Sequence, residues 1–342
     1  MNEYYDDFRE RLLVIEDSLN QVKQEVRMLD NISSRLDSII ETNKDFKDRL
    51  VHIEDKENEY FNIGSEQNLE PILDENTDRK LRVHYIRSVD WHNAGDMSCN
   101  PYSYFAELKN YHSILHDWKS IDWNLIMPDD IIILGGGGLL NCSDELQNVI
   151  NLILNKCNNV ISWGCGFNTH FGKRLNDNLA INKFEIFTCR DYLPNSNFKY
   201  CPDVSCMMEY FDNHFEIKRD IGVIEHLAFP INEFKYEKIS NRHALNEVVS
   251  FIGESEKIIT NSWHCAYWAQ LLGKKVVIYK PFSDKFDNFK YKIGFYSGNI
   301  MADFDNAQVH DAMLDECRKI NIKVMQDVCE YVESKINGGY SE

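Results

Sequence analysis

Asp130-Ile131-Ile132-Ile133-Leu134-Gly135-Gly136-Gly137-Gly138 decides how the chain is read. A continuous apolar run without polar alternation is the signature of a parallel strand buried on both faces. It ends on four glycines, which permit positive φ and let another group approach the backbone closely. The spacing predicts a strand over 130–134, a glycine turn, and then a helix whose N-terminal N–H groups favour an anion. It is neither the GxGxxG pattern of dinucleotide sites nor a phosphate loop, because no Gly-Lys-Ser/Thr follows. A tight turn that binds nothing is the competing reading.

Around this run the periodicity alternates between strand and helix. Strands are expected over 81–87, 159–163 and 185–189, with a helix over 145–157. A second series begins at Ile221-Gly222-Val223-Ile224. It continues with a helix over 242–253, a strand over 257–260, a helix over 263–272, a strand over 275–279 and a long terminal helix over 311–336. Such alternation implies an α/β fold with parallel sheets. Two series imply two Rossmann-like halves with a cleft between them, placed at 81–215 and 216–342.

The first sixty residues differ. Leu12, Ile15, Leu19, Val22, Val26, Leu29, Ile32, Leu36, Ile39, Phe46, Leu50 and Ile53 form a heptad seam with one stammer at Leu29–Ile32. Asn43 falls at an a position, where a buried Asn fixes register and favours a parallel dimer. Residues 1–60 are therefore expected to be a coiled coil that makes a homo-oligomer, and the polar stretch 61–80 a linker. A single amphipathic helix lying on the body of the chain is the alternative.

The 342 residues carry a net charge of -18, which argues against nucleic acid as a partner. The ten cysteines form no CxxC pair, and the closest two, Cys201 and Cys206, have no second pair to complete a metal site. Reduced, mostly buried thiols and no metal are expected. No apolar run reaches the roughly 18 residues that span a bilayer. The acidic start Met1-Asn2-Glu3-Tyr4-Tyr5-Asp6-Asp7 lacks a signal core. Both features place the expectation in the cytoplasm.

Candidate chemistry clusters where strands are expected to end. Gly164-Cys165-Gly166 follows the strand over 159–163, where a doubly wound fold places ligands. Arg190, paired with Asp191, ends the next strand and can grip a carboxylate or phosphate bidentately. Asn261 and Ser262 are expected to cap a helix that carries His264 in its first turn, suited to proton transfer beside a phosphate. Asn93 and Asp96 follow the first strand, and Asp96 could take a proton from a hydroxyl. Each has a structural reading as well: a plain turn, an ion pair, a core histidine, a helix cap.

Taken in order, Asn93-Ala94-Gly95-Asp96, Gly135–Gly138, Gly164-Cys165-Gly166, Arg190-Asp191, Pro202-Asp203, Ile221-Gly222-Val223, Thr260-Asn261-Ser262-Trp263-His264 and Leu271-Leu272-Gly273-Lys274-Lys275-Val276-Val277 resemble the polysaccharide pyruvyltransferase family. The resemblance spans about 81–279. It implies a fold like the two-domain glycosyltransferase B type and transfer of a pyruvyl group from phosphoenolpyruvate to a sugar of a growing surface glycan, or of its lipid-linked precursor. It implies no cofactor beyond the donor. On it, Arg190 would bind the donor's phosphate or carboxylate, and His264 would be an acid–base group or phosphate ligand. Asp96 would be the base, and the glycines would shape the cleft. Some relatives carry Arg where Ser262 stands, and Cys265 replaces a usual Gly. The family also leaves room for peripheral association with membrane-bound glycan machinery. Two other functions fit the same residues: a nucleotide-sugar glycosyltransferase on this scaffold, and a non-catalytic coiled-coil scaffold.

Overall fold

Ile131–Gly135 is buried at every residue, and so is the neighbouring Asn159–Cys165. In a computed structural model that describes residues 80–168 and 180–338, these are central strands of a parallel sheet. The strands are β1 (Arg82–Arg87), β2 (His112–Asp117), β3 (Ile131–Gly135), β4 (Asn159–Cys165), β5 (Ile186–Cys189) and β6 (Lys199–Tyr200), in the order β2-β1-β3-β4-β5-β6. A second parallel sheet contains β7 (Arg219–Glu225), β8 (Lys238–Ser240), β9 (Ser255–Thr260), β10 (Lys275–Ile278) and β11 (Gly294–Phe295), in the order β11-β10-β9-β7-β8. The helices are α1 (Ala94–Met97), α2 (Asp144–Lys156), α3 (Leu245–Gly253), α4 (Trp263–Leu271), α5 (Ile300–Asn306) and α6 (Met313–Gly338). The chain is thus mixed α/β with two parallel sheets. The expected coiled coil over 1–60, and all of the linker but Lys80, lie outside the described residues.

In both sheets the strand order reverses beside the first strand. After β1 the chain adds β2 on one side and β3 on the other; after β7 it adds β8 on one side and β9 on the other. A parallel sheet opens a crevice beyond the carboxyl ends at such a reversal, because the two outgoing connections diverge there.

Three expectations need correction. The glycine run does not lead straight into a helix: α2 starts at Asp144, after Leu140 has bridged Phe167. Its N-terminus is capped by the Ser143 side chain and carries Asp144 and Glu145 in its first turn, so it repels an anion instead of collecting one. The terminal helix, read with the second half, serves both sheets. Met313 and Cys317 join the core around α4, whereas Val324, Val328 and Val332 pack with Val83, Ile131 and Trp163 of the first sheet. Asn321 sits between, accepting from Trp163 Nε1 at 3.0 Å and donating to the Pro202 carbonyl at 3.1 Å. Finally, the sequence pattern predicts no strand at β2, β6, β8 or β11. Of these, β6 and β11 are only two residues long. The other two, β2 and β8, are edge strands with few buried residues, so their polar positions hide the strand period.

A buried polar chain crosses the first sheet away from its carboxyl edge. His116 Nε2 lies 2.9 Å from His84 Nδ1, and His84 Nε2 lies 3.2 Å from Asp130 Oδ2. Burial, then the neighbouring His84, lower the His116 pKa to about 4. The folded state therefore keeps His116 neutral, while the unfolded chain binds a proton below its ordinary value. Stability should fall as pH drops through the window between the two pKa values. Chemical-denaturation midpoints measured across that window should decline in the wild type and decline less in His116→Gln.

Candidate active site

The carboxyl ends of both sheets supply one cavity of about 250 Å³. Asn93 and Asp96 come from the segment after β1, Gly138 from that after β3, Asn168 after β4 and Arg190 after β5. From the second sheet come His226 and Phe229 after β7, Asn241 after β8, Ser262, Trp263 and His264 after β9, and Phe282 and Lys285 after β10.

At its base four side chains converge. Arg190 Nη1 lies 2.8 Å from Asp203 Oδ2 and 3.2 Å from His264 Nε2. Cys99 Sγ lies 3.1 Å from the same imidazole nitrogen and 3.4 Å from Asp203 Oδ2. All four are buried. A guanidinium only donates, so in the neutral imidazole Nε2 accepts from Arg190, whereas in the imidazolium Nε2 carries a proton and donates to Asp203 Oδ2, 3.4 Å away. The Arg190 guanidinium also lies over the Trp263 ring, 3.7 Å from its centroid. Burial alone would raise the Asp203 pKa. The hydrogen bond and charge of His264, then the charge of Arg190, hold it well below the usual carboxylate range. Asp203 is further fixed by the Ser205 N–H at 3.0 Å, while its carbonyl accepts from the Tyr267 hydroxyl at 3.0 Å.

Cys99, Asp203 and His264 together resemble a metal ligand set, since their donor atoms all lie within 4.8 Å of one another. The guanidinium, however, already holds the focus of the three. Its charge satisfies Asp203 and repels a cation, so the cluster is an ion pair with its orienting partners.

Two glycines make this packing possible. A Cβ on Gly95 would lie 2.1 Å from His264 Nδ1, and one on Gly166 would lie 2.3 Å from Arg190 Nε. Real side chains do not approach so closely.

Asp96 is half-buried in the cavity wall and receives the Asn93 amide at 3.1 Å. Burial raises its pKa, against the lowering charges of His264, Lys285 and Arg190. Lys285 is brought down to about 8, by burial first and by the Arg190 charge second. It lies in a 3-10 turn, Asp284–Asn288, and its ammonium reaches Asn168 Oδ1 at 3.4 Å.

Of the residues singled out from sequence, Asn93, Asp96, Gly138, Arg190, Ser262 and His264 line the cavity. Gly135, Gly136, Gly137, Gly164 and Asn261 are not in its lining. Gly136, at φ 56°, sits where a Cβ would strike the Cys99 carbonyl, so this part of the glycine run brings the Cys99 segment against the sheet, and Gly138 alone of the run lines the cavity. Gly135 abuts Pro101, Gly137 faces Cys99 Sγ, and Gly164 faces the carbonyls of Cys201 and Pro202. Asn261 caps nothing: it accepts from the His226 N–H at 2.6 Å and donates to the Phe229 carbonyl at 2.7 Å, holding the loop after β7. Ser262 occupies the cap position, but its side chain makes no capping bond. The ion-pair partner of Arg190 is Asp203 and not Asp191, which instead accepts the Phe167 N–H at 2.6 Å. Sequence reasoning missed Cys99, Trp263, Lys285 and the aromatic side chains, and gave Asp203 no role. Asp203 alone had a local signal, since it follows a short strand, β6, as the other site residues follow theirs.

An α/β chain whose parallel sheets both point their carboxyl ends into one polar cavity has an enzyme-like scaffold. The sequence profile of the polysaccharide pyruvyl transferase family matches residues 85–280, more than half of the chain. The chain belongs to that family and is a transferase. No curated protein matches it. Among solved structures, it is similar to a functionally uncharacterized protein of Klebsiella pneumoniae, at 21% identity and a TM-score of 0.43, over 64% of this chain and 94% of that one.

Removing one partner of a buried ion pair leaves the other charge uncompensated, at a cost of about 3–5 kcal/mol. Asp203→Ala should therefore lower the unfolding free energy by roughly that amount. Gly95→Ala should cost about 1–3 kcal/mol through overpacking against His264. Denaturant titration checks both; equal stability of Asp203→Ala and wild type would contradict the assigned pairing.

Proposed function

We propose that the cavity binds phosphoenolpyruvate and transfers its pyruvyl group as a ketal to two hydroxyls of one sugar in a surface glycan or its lipid-linked precursor. The observation that carries this reading is the pairing of two cations, Arg190 and Lys285, with two proton-transfer groups, Asp96 and His264, in one cavity. A phosphorylated enol acid needs cations for its phosphate and carboxylate, and a proton donor for its enol carbon. Both hydrogen bonds of Arg190 use Nη1, and its buried Nε has no partner among the described residues. Lys285 supplies the positive charge that Asp203 does not neutralise.

In this scheme His264 protonates C3 of the donor while a sugar hydroxyl adds to C2 and gives its proton to Asp96. The C2–O bond to phosphate then breaks, and phosphate leaves against Arg190 and Lys285 with the proton held by Asp96. The second hydroxyl forms the other C–O bond at the vacated position on C2 and returns a proton to His264. Asp203, 3.4 Å from His264 Nε2, stabilises the imidazolium on which the first step depends. The sum is donor plus diol giving ketal plus phosphate, without a cofactor. The finer architecture proposed with it is two Rossmann-like halves closing on the cleft, as in glycosyltransferase B folds. Residues 1–60 would hold a homodimer at cytoplasmic glycan-building machinery. Among the described residues no helix is long and apolar enough to cross a membrane.

The test is thermal shift and calorimetry with phosphoenolpyruvate and, separately, with nucleotide sugars. Phosphoenolpyruvate should raise the melting temperature of the wild type and not of Arg190→Ala. Lys285→Met should weaken its binding by about 10- to 100-fold, the worth of a charge-assisted hydrogen bond. Wild-type affinity should also fall as pH rises through about 8, where Lys285 loses its proton, and that fall should vanish in Lys285→Met. A shift with a nucleotide sugar alone would sink this reading in favour of glycosyl transfer.

A further inference from the structure

One wall of the cavity is aromatic, and its Phe282 ring lies 5.2 Å from the Lys285 ammonium. His226, Phe229 and Phe282 line it. Phe229 and Phe282 stack with centroids 4.3 Å apart and planes 25° from parallel, and the His226 ring lies 4.9 Å from Phe282. Phe229 remains 38% exposed, while Phe282 anchors the pair by packing against the core around α4. An exposed aromatic face held at a cavity in this way is suited to the wall of a binding site.

Beside it runs a chain of carboxamides. Asn241 Oδ1 accepts the Leu227 N–H at 2.7 Å, Asn241 Nδ2 donates to Asn93 Oδ1 at 3.2 Å, and Asn93 Nδ2 donates to Asp96 Oδ2 at 3.1 Å. The chain leads from the aromatic wall to the carboxylate assigned as base. Asn93 Oδ1 is filled, since it also accepts the Gly95 N–H at 3.1 Å, but each amide keeps one N–H, and Asn241 Oδ1 one lone pair, suited to hydroxyls.

We infer that this wall is the acceptor subsite: a pyranose ring rests its C–H face on Phe229 and Phe282, turns its hydroxyls to Asn93 and Asn241, and places one at Asp96. The assignment rests on the proposed function. A phosphorylated donor gains nothing from an apolar wall, so the donor and the acceptor divide the cavity by chemistry. A nucleotide fits less well, because the polar chain that continues from the rings ends in a carboxylate, which repels a diphosphate.

Saturation-transfer NMR with the wild-type chain tests this, using methyl β-D-galactopyranoside, methyl β-D-glucopyranoside and methyl α-D-mannopyranoside, each with and without phosphoenolpyruvate, and uridine monophosphate as competitor. At least one glycoside should receive saturation, strongest on its ring C–H protons. Phe229→Ala should weaken its affinity by about fivefold, the worth of an aromatic face contact. Asn241→Ala should weaken it as well, and neither change should alter the thermal shift given by phosphoenolpyruvate. No transfer to any glycoside, transfer unaffected by Phe229→Ala, or displacement of the sugar by uridine monophosphate would each overturn the inference. Normal glycoside binding with no response to phosphoenolpyruvate would instead overturn the donor reading and leave the subsite standing. Retained melting temperatures in the two variants separate loss of the subsite from loss of fold.

Discussion

The buried pair of Arg190 and Asp203 is the constraint around which the rest is arranged. A charge taken out of water at this depth persists only when it is matched and hydrogen-bonded. Asp203 meets that need through the guanidinium, the Ser205 N–H and the nearby His264. Arg190 meets it through Asp203, His264 and the face of Trp263. His264 and Trp263 belong to α4, as does Tyr267, which bonds the Asp203 carbonyl. One short segment after β9 is thereby joined to the ends of β5 and β6. The interaction holds the two sheets' carboxyl edges at a single cavity and aims a cation into it.

Topology makes this economical. Each sheet reverses its strand order beside its first strand, so each already opens a crevice at that edge. Loops as far apart in sequence as those of Asn93 and Lys285 then meet without any long connection. The terminal helix α6 reinforces the joint from behind. Asn321 ties Trp163 to Pro202, and Arg318 donates to the carbonyls of Cys206 and Met208. Both side chains brace the segment that carries Asp203.

How much of this the sequence revealed follows from where its signals come from. Buried parallel strands have apolar runs, so β1, β3, β4, β5, β7 and β9 are readable, and Asp96, Arg190 and His264, which follow β1, β5 and β9, can be picked out by position. The glycine run was seen but misread. Its glycines admit Cys99 and Pro101, neighbours that only the folded chain brings near. Asn261 looked like a cap because a polar residue before an apolar helix usually is one; here the loop after β7 takes both ends of its amide. Lys285 and Phe282 lie in an irregular segment without period, and nothing local marks a lysine that faces a cavity. The partner of Arg190 was assigned to the adjacent Asp191, whereas the true partner stands thirteen residues on, at Asp203.

The most direct measurement is a crystal structure of the protein with phosphoenolpyruvate bound. The donor's phosphate or carboxylate oxygens should lie within hydrogen-bond distance of Arg190 and Lys285, with its C3 facing His264 and its C2 open toward Asp96 and the aromatic wall. Donor density elsewhere on the chain, or an intact Arg190–Asp203–His264 cluster with the donor bound away from it, would contradict this assignment.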